Sequence, residues 1–171
     1  IESGPADSLY VLNVIYSEED RFGEDDQLQA AMLNKAVVLT SAPSIQTSDG
    51  VGSFVGVSTF GEQDTNWLYE FPGLLYPVPS LSNFAYGVGA AVSIPDKPTG
   101  VVRRSPLVIK ANGQQYPSLA LDTLRVYTGE PSYQMKVGLN GVEWVRIGSQ
   151  DPITTNSFAE TPIAFWNQFE Q

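Results

Sequence analysis

Two adjacent arginines, Arg103 and Arg104, are the residues of this sequence whose type and spacing most suggest binding chemistry. They lie on a predicted strand, where neighbouring side chains point to opposite faces, so one of them should reach solvent or a cleft. The other must pair with an acid or extend along the sheet, because a lone buried guanidinium is costly. We expect a structural salt bridge for at least one arginine, while the exposed guanidinium suits an anion or a carboxylate.

Two aromatic residues, Trp67 and Tyr69, lie in a middle segment without periodicity, which predicts a long packed loop from Gly61 to Ser82. Long loops in small domains are often functional. We therefore expect these two residues, together with Arg103 and Arg104, to line a ligand-binding cleft. Core packing is the default assignment for the two remaining tryptophans, Trp144 and Trp166.

The chain contains no histidine and no cysteine, which removes the commonest general base, thiolate chemistry and the usual transition-metal ligands. The acidic run from Glu18 to Asp26 lacks the ligand spacing of a calcium loop, so it is interpreted as a solvated helix start. No cofactor is expected, and no catalytic or metal-binding residue is assigned.

A carboxylate-pair carbohydrate hydrolase is the enzymatic alternative, because glycosidase chemistry needs two acids and no histidine. The candidate acids Glu62, Asp64 and Glu70 lie near Trp67 and Tyr69, and aromatic rings stack on sugars. Geometry rather than composition identifies such a site, so the sequence leaves this alternative open.

The charge of the chain limits its partners. With nine basic residues, nineteen acidic residues and a net charge of −10, it lacks the clustered cations that nucleic acid requires, and an anionic membrane surface would repel it. No apolar run reaches the ~18 residues of a membrane span, so any membrane contact is expected through helices outside this chain. An unidentified small molecule or protein remains as the expected partner.

The elements that must position these side chains begin with a strand, a helix and a strand. SLYVLNVIYS (residues 8–17) is apolar on both faces, which predicts a strand covered on both sides. A helical stripe in DQLQAAMLNK follows, and AVVLTS (residues 36–41) is the next buried strand. This order predicts a crossover unit with parallel strands.

The second half predicts more strands and one clear helix. Residues 87–94 alternate, with a face of glycine, alanine and serine that lets a helix approach closely. Residues 101–111 return as a strand broken at Pro106, and Asn112–Gly113 predicts a hairpin turn. Pro117 is expected in the first turn of a helix that stops near Gly129, and residues 133–147 predict a last hairpin near a sheet edge. The predicted fold is a single α/β domain with a mixed β-sheet flanked by helices.

The central stretch resembles the signature of the type-2 CHASE domain, a sensory module associated with cyclases and histidine kinases. The resemblance rests on GVVRRSPL (residues 100–107) and YPSLAL (residues 116–121). The strand, acidic loop and helix near the start, and VRIGSQDPITTNSFAETPIAFW near the end, are also similar, so the resemblance spans about residues 7–166. Thr47 to Pro79 matches no part of the pattern.

The resemblance implies a non-enzymatic input domain at the periplasmic or extracellular face of the cell membrane. Residues 1–171 are then expected to be a piece of a longer membrane-anchored receptor with a nucleotide cyclase, histidine kinase or serine/threonine kinase output. The final PIAFWNQF is the expected output side. A ligand-free dimerisation module remains an alternative besides the hydrolase. A homodimer is compatible with the sensory domain as well as with the dimerisation module.

Overall fold

The computed structural model describes residues 8–46, 55–62 and 66–164 of the 171-residue chain. The helices are α1 (Asp25–Met32), α2 (Pro79–Ser82) and α3 (Leu119–Thr128). The strands are β1 (Leu9–Leu12), β2 (Ala36–Ser44), β3 (Val57–Gly61), β4 (Glu70–Phe71), β5 (Gly73–Leu75), β6 (Gly87–Ala90), β7 (Arg104–Pro106), β8 (Val108–Ala111), β9 (Gln114–Pro117), β10 (Tyr133–Gly138), β11 (Gly141–Ile147), β12 (Ile153–Thr154) and β13 (Glu160–Pro162).

The first sheet is built around β2, which is the strand with the most buried side chains in this sheet. β1 and β6 both run parallel to β2, and β5 pairs antiparallel with its far end. The expected β1–α1–β2 crossover with parallel strands is therefore confirmed. Its core contains Met32, Val37 and Leu39, with Tyr76 and Leu81 from the segment that follows β5.

The second sheet has the order β12-β11-β10-β3. Tyr133, Met135 and Val137 of β10 point into the core with Val145 of β11, while the alternating residues face outward. The expected hairpin forms, but its predicted place near a sheet edge is wrong. β10 lies in the interior because β3 adds to it in parallel.

Two smaller ladders complete the fold, β4-β8-β9 and β7-β13. Pro106 ends β7, and the chain resumes as β8 at Val108, so the predicted break is confirmed. Asn112 and Gly113 join β8 to β9 with positive φ values of 46° and 75°, as the two-residue hairpin signal predicts.

Helix α3 packs closely against β6 because β6 carries small residues. A Cβ atom added to Gly89 would lie 2.5 Å from the Cα of Leu119 and 2.7 Å from the carbonyl oxygen of Ser118. The small-residue face therefore admits a helix, as predicted. The Ser118 hydroxyl caps α3 by accepting from the Leu121 N–H at 3.3 Å, and Gly129 ends the helix with φ 69°.

The α/β class with a single domain, mixed sheets and a hairpin near the C-terminal end is confirmed, although helices contribute only 15% of the described residues. Three local predictions are wrong. The first strand ends at Leu12 and is half-exposed at Val11, since β1 is an edge strand. The predicted middle loop contains β4, β5 and α2, and Pro117 is the last residue of β9 rather than part of α3.

Candidate functional site

The two aromatic residues predicted to line a cleft meet on the ring of Phe158. Tyr69 stacks on Phe158 with 5.7 Å between ring centroids and 26° between planes, and Trp67 contacts the same ring edge-on at 6.3 Å and 65°. Phe158 is 42% exposed and the other two rings are half-buried. We call these three rings the aromatic surface. Such ring pairs contribute roughly 0.5–1.5 kcal/mol beyond their buried area, so the cluster is a stable platform.

Backbone hydrogen bonds hold the rings of the aromatic surface in place. The Lys110 N–H donates to the carbonyl oxygen of Tyr69 at 2.9 Å, immediately before β4. On the other side, the Asn156 side-chain oxygen accepts from the N–H groups of Phe158 at 3.0 Å and Glu160 at 2.9 Å. Asparagine makes such local turns readily, so the Phe158 turn is set by its own sequence.

Beneath the aromatic surface lies a buried carboxylate, Glu160, which is only 6% exposed. It accepts hydrogen bonds from the Tyr69 hydroxyl at 3.0 Å and from the Asn156 side-chain nitrogen at 2.7 Å. Burial, and then the hydrogen bond to Glu160, raise the pKa of Tyr69 above its usual value, while Arg104 opposes the shift. Tyr69 is therefore a neutral donor that anchors its ring to β13.

The two arginines have different surroundings. Arg103 donates from Nη1 to the Asp96 carboxylate at 3.1 Å and to the Thr99 hydroxyl at 3.0 Å, so the expected salt bridge forms. The Arg103 side chain is 51% exposed, and exposed ion pairs contribute only about 0–1 kcal/mol. This pair fixes the turn between residues 96 and 100 rather than the core.

Arg104 opens β7 opposite Pro162 of β13, and its side chain is exposed. Within the described part of the chain its guanidinium makes no hydrogen bond and no ion pair. Its charge lowers the pKa of the Tyr69 hydroxyl slightly, against the larger effects of burial and Glu160. Trp67 and Tyr69 therefore meet on one surface, while within the described ranges no hydrogen bond, ion pair or ring contact joins Arg103 or Arg104 to these rings. That the two arginines share a ligand site with the aromatic surface stays a prediction. Its rings can stack on a planar group while Arg104 pairs with an anion.

A second polar cluster lies in the interior, where the first and second sheets meet. Arg125 donates from Nε to Asp122 Oδ1 at 2.7 Å and to the Tyr133 hydroxyl at 3.0 Å. Its Nη2 donates to the carbonyl oxygen of Tyr86 at 2.7 Å and its Nη1 to that of Glu130 at 3.3 Å. The Tyr133 hydroxyl also donates to Asp122 Oδ1. We call this cluster of Asp122, Arg125 and Tyr133 the polar joint.

The polar joint is ionised and almost closed to solvent, with Asp122 2% exposed and Arg125 8% exposed. Burial lowers the pKa of Arg125, but the hydrogen bond and the charge of Asp122 outweigh it, so the pKa is raised. Burial, followed by the Asp122 charge, raises the pKa of Tyr133 far above its usual value. The joint is thus an ion pair with a neutral hydroxyl donor, and it lies at the contact between α3, β6 and β10.

Comparison with protein families gives one match: residues 8–170 match the model of the CHASE2 domain, essentially the whole chain. The chain belongs to the CHASE2 domain family. Searches of curated proteins and of solved structures found no match. The family assignment confirms the resemblance carried by GVVRRSPL and YPSLAL.

CHASE2 domains are extracytoplasmic sensory domains of signalling proteins, and they are not catalytic domains. Across the described ranges, none of the helices has the length and apolar character needed to cross a membrane.

The two described acids of the hydrolase alternative lie on different sheets. Glu70 is held in an ion pair with Lys110 at 3.2 Å, next to β4 and β8. Glu62 follows β3 on the second sheet, where its N–H donates to the carbonyl oxygen of Val137 at 2.9 Å. Asp64 lies outside the described residues. Glu70 is thus committed to Lys110, and the hydrolase alternative gains no support from the described contacts.

The acidic run lies before and within the first turn of α1, where its carboxylates bind their own loop. Asp20 accepts from the N–H groups of Phe22 at 2.9 Å and Glu24 at 2.8 Å, and Asp25 accepts from the Asp20 N–H at 2.9 Å. Among the described residues no three acidic side chains converge into a group able to hold a metal ion. These carboxylates therefore serve the loop itself.

The tryptophans predicted to pack in the core have different outcomes. Trp144 is half-buried on the outer side of β11, where the Arg146 guanidinium lies 5.4 Å from its ring centre, so the core assignment is wrong. Trp166 lies outside the described residues.

The sequence prediction did not include Asp122 or Arg125, although a signal for them was present. In the predicted helix they are three residues apart, with opposite charges, on the same side as Leu121. A charged pair on the buried side of a helix signals an internal ion pair. Nothing comparable marked Phe158 or Glu160, whose roles depend on the turn around Asn156.

Proposed function

We propose that this chain is the stimulus-sensing input domain of a transmembrane signalling protein, exposed at the periplasmic or extracellular face of the membrane. Its output domain is a nucleotide cyclase, a histidine kinase or a serine/threonine kinase. The observation that carries the proposal is the CHASE2 match over residues 8–170. The ligand site we assign to it is the aromatic surface together with Arg103 and Arg104.

The chemistry of this site favours a ligand with a planar apolar part and an anionic group. Three partly exposed rings offer a stacking platform, and Arg104 offers a guanidinium that is free of protein acceptors in the described ranges. A guanidinium binds carboxylate and phosphate in a forked geometry. Arg103 is already occupied by Asp96, so it supports the site through the neighbouring turn.

Hydrogen bonds connect this site directly to β13 and to the residue that follows it. Tyr69 is bonded to Glu160, the first residue of β13, and the Ile163 N–H after β13 donates to the Arg103 carbonyl oxygen at 2.9 Å. A ligand that separates or tightens these groups therefore moves β13 relative to β7. Such a ligand acts only through a difference in affinity between two positions of that strand.

The test is a thermal-shift screen of this 171-residue chain against small molecules. A ligand present at ~100 times its dissociation constant adds about 2.7 kcal/mol of stability. For a chain of this size that corresponds to a rise of roughly 5–11 °C in melting temperature. Each hit is then measured on Arg104→Ala, on Trp67→Ala and on the control Arg21→Ala, which removes an exposed arginine from the acidic loop.

The expected result is that Arg104→Ala and Trp67→Ala lose the shift while Arg21→Ala keeps it. A hit that all three variants retain would move the site elsewhere. The same hit is also added to the full-length protein, where the output activity is measured. No change of output activity at saturating ligand would refute the sensory assignment.

A further inference from the structure

A cavity of about 230 Å³ lies beside the polar joint, between the end of α2, the start of β6 and α3. Its lining includes Ser82, Tyr86, Gly87, Asp122 and Arg125. It is separate from the aromatic surface, whose residues are not among its lining. With a water molecule occupying about 30 Å³, the cavity has room for about seven water-sized groups.

The cavity has a hydrogen-bond acceptor that no described residue uses. Both hydrogen bonds of the Asp122 carboxylate go to Oδ1. Oδ2 points toward Gly87, where an added Cβ atom would overlap it. Oδ2 accepts no hydrogen bond from a described residue and is free to accept one from a molecule in the cavity. Gly87 thus lets the Asp122 carboxylate and the Arg125 guanidinium lie directly against the backbone at the start of β6.

Two kinds of donor face the same space. A guanidinium has five N–H groups, and the hydrogen bonds of Arg125 use one on Nε, one on Nη1 and one on Nη2. One N–H on each of the two terminal nitrogens is left. Ser82 is 4% exposed, and its hydroxyl makes no hydrogen bond to another described residue. The cavity therefore offers one acceptor oxygen, guanidinium donors and a hydroxyl.

We infer that this cavity is a binding site for a small neutral ligand that both donates and accepts hydrogen bonds, of the primary carboxamide class. The amide nitrogen donates to Asp122 Oδ2, and the amide oxygen accepts from Arg125 or Ser82. A charged ligand fits less well, because Asp122 and Arg125 already neutralise each other and an added buried charge has no partner.

The test is an NMR titration of the 15N-labelled chain with acetamide, following the amide signals of Gly87 and Val88 and the Nε–H signal of Arg125. Acetone is the matched probe, since it has nearly the same shape and an acceptor oxygen but no N–H donor. Saturable shifts with acetamide at these three signals, with none for acetone, are expected. Shifts that grow linearly with concentration, or that acetone reproduces, would overturn the inference.

Two serines of α2 give a matched pair of variants. Ser82→Ala removes the hydroxyl from the cavity and should weaken acetamide binding about five-fold, the effect of one lost hydrogen bond. Ser80→Ala removes a buried hydroxyl that has no partner and does not line the cavity, so the affinity should stay unchanged. Equal effects of the two variants would argue against the site. Arg104→Ala should leave the titration unchanged, which separates this inference from the proposed aromatic site.

Discussion

Arg125→Met is the substitution whose cost follows most directly from the structure. It leaves the Asp122 carboxylate buried without its counter-charge, since the two side chains are only 9% and 2% exposed. It also takes a donor from the carbonyl oxygens of Tyr86 and Glu130. Breaking a buried ion pair from one side costs about 3–5 kcal/mol. In a chain of this length that lowers the melting temperature by roughly 6–20 °C.

The assay is urea unfolding followed by tryptophan fluorescence, with the free energy of unfolding taken from the linear dependence on urea. Lys136→Met is the control, because the Lys136–Glu143 pair is 3.6 Å long and about half-exposed, so its loss should cost less than about 1 kcal/mol. A triple variant, Asp122→Leu with Arg125→Met and Tyr133→Phe, removes all three polar side chains together. It should recover about half of the lost free energy, because apolar replacement of a whole buried network is often tolerated.

Two results would refute this reasoning. If Arg125→Met costs no more than Lys136→Met, the polar joint is not a buried ion pair in solution. If the triple variant is as unstable as the single one, the loss comes from packing around α3 rather than from an unpaired carboxylate.

Three further predictions concern packing, the Phe158 turn and alkaline stability. Gly89→Ala should lower the free energy of unfolding in urea by about 1–3 kcal/mol, because the new Cβ atom meets the Leu119 backbone. The control Gly56→Ala should change it by less than about 0.5 kcal/mol, because no other atom lies within 4 Å of the new Cβ position. Asn156→Ala should cost about 1–3 kcal/mol, since two N–H groups and the Glu160 carboxylate lose their partner; a loss no larger than that of Gly56→Ala would contradict the role of this turn. Four tyrosines have pKa values raised above 10 in the folded chain, so the free energy of unfolding linked to them is constant below about pH 10 and falls as the pH rises further. The fall is about 1.4 kcal/mol per pH unit for each tyrosine that is ionised in the unfolded chain and neutral in the folded chain. Absorbance at 295 nm should show Tyr69, Tyr76, Tyr116 and Tyr133 ionising at a higher pH than a free tyrosine does. A single transition of all eight tyrosines near pH 10 would contradict this prediction.

The parts of the fold that the sequence predicted correctly are those set by local chemistry. Asn112–Gly113 makes its turn because both residues accept positive φ, and Gly129 ends α3 for the same reason. The parallel β1–α1–β2 unit follows from an apolar strand on either side of an acidic helix start. The close approach of α3 follows from the absence of side-chain atoms at Gly87 and Gly89.

The failed predictions depend on contacts between distant segments. β4 and β5 are two and three residues long, which is too short for a repeated alternation, and they become strands because β8 and β2 lie beside them. The hairpin β10–β11 looked like an edge because its outer face is polar. Its place in the sheet interior comes from β3, which is more than seventy residues earlier in the chain.

The candidate site shows the same division. Residue type alone pointed to Arg103, Arg104, Trp67 and Tyr69, and the structure brings Trp67 and Tyr69 together on Phe158. The partners that define the aromatic surface, Phe158 and Glu160, lie about ninety residues further along the chain and approach Tyr69 only because β13 pairs with β7. Sequence periodicity carries no information about such a pairing between two three-residue strands.

The polar joint and the aromatic surface have different mechanical roles because their interactions differ in direction and burial. Arg125 bonds the carbonyl oxygen before β6, the carbonyl oxygen after α3 and a hydroxyl of β10 at once, so only one relative position of these elements satisfies its planar guanidinium. A small displacement of one of these elements would leave buried polar groups without hydrogen bonds, so this region resists gradual sliding. The aromatic surface instead holds β13 through stacked, partly exposed rings and one tyrosine hydrogen bond. Under the proposed function, the less costly response to a stimulus is therefore a movement of β7 and β13 against a body that the polar joint keeps fixed.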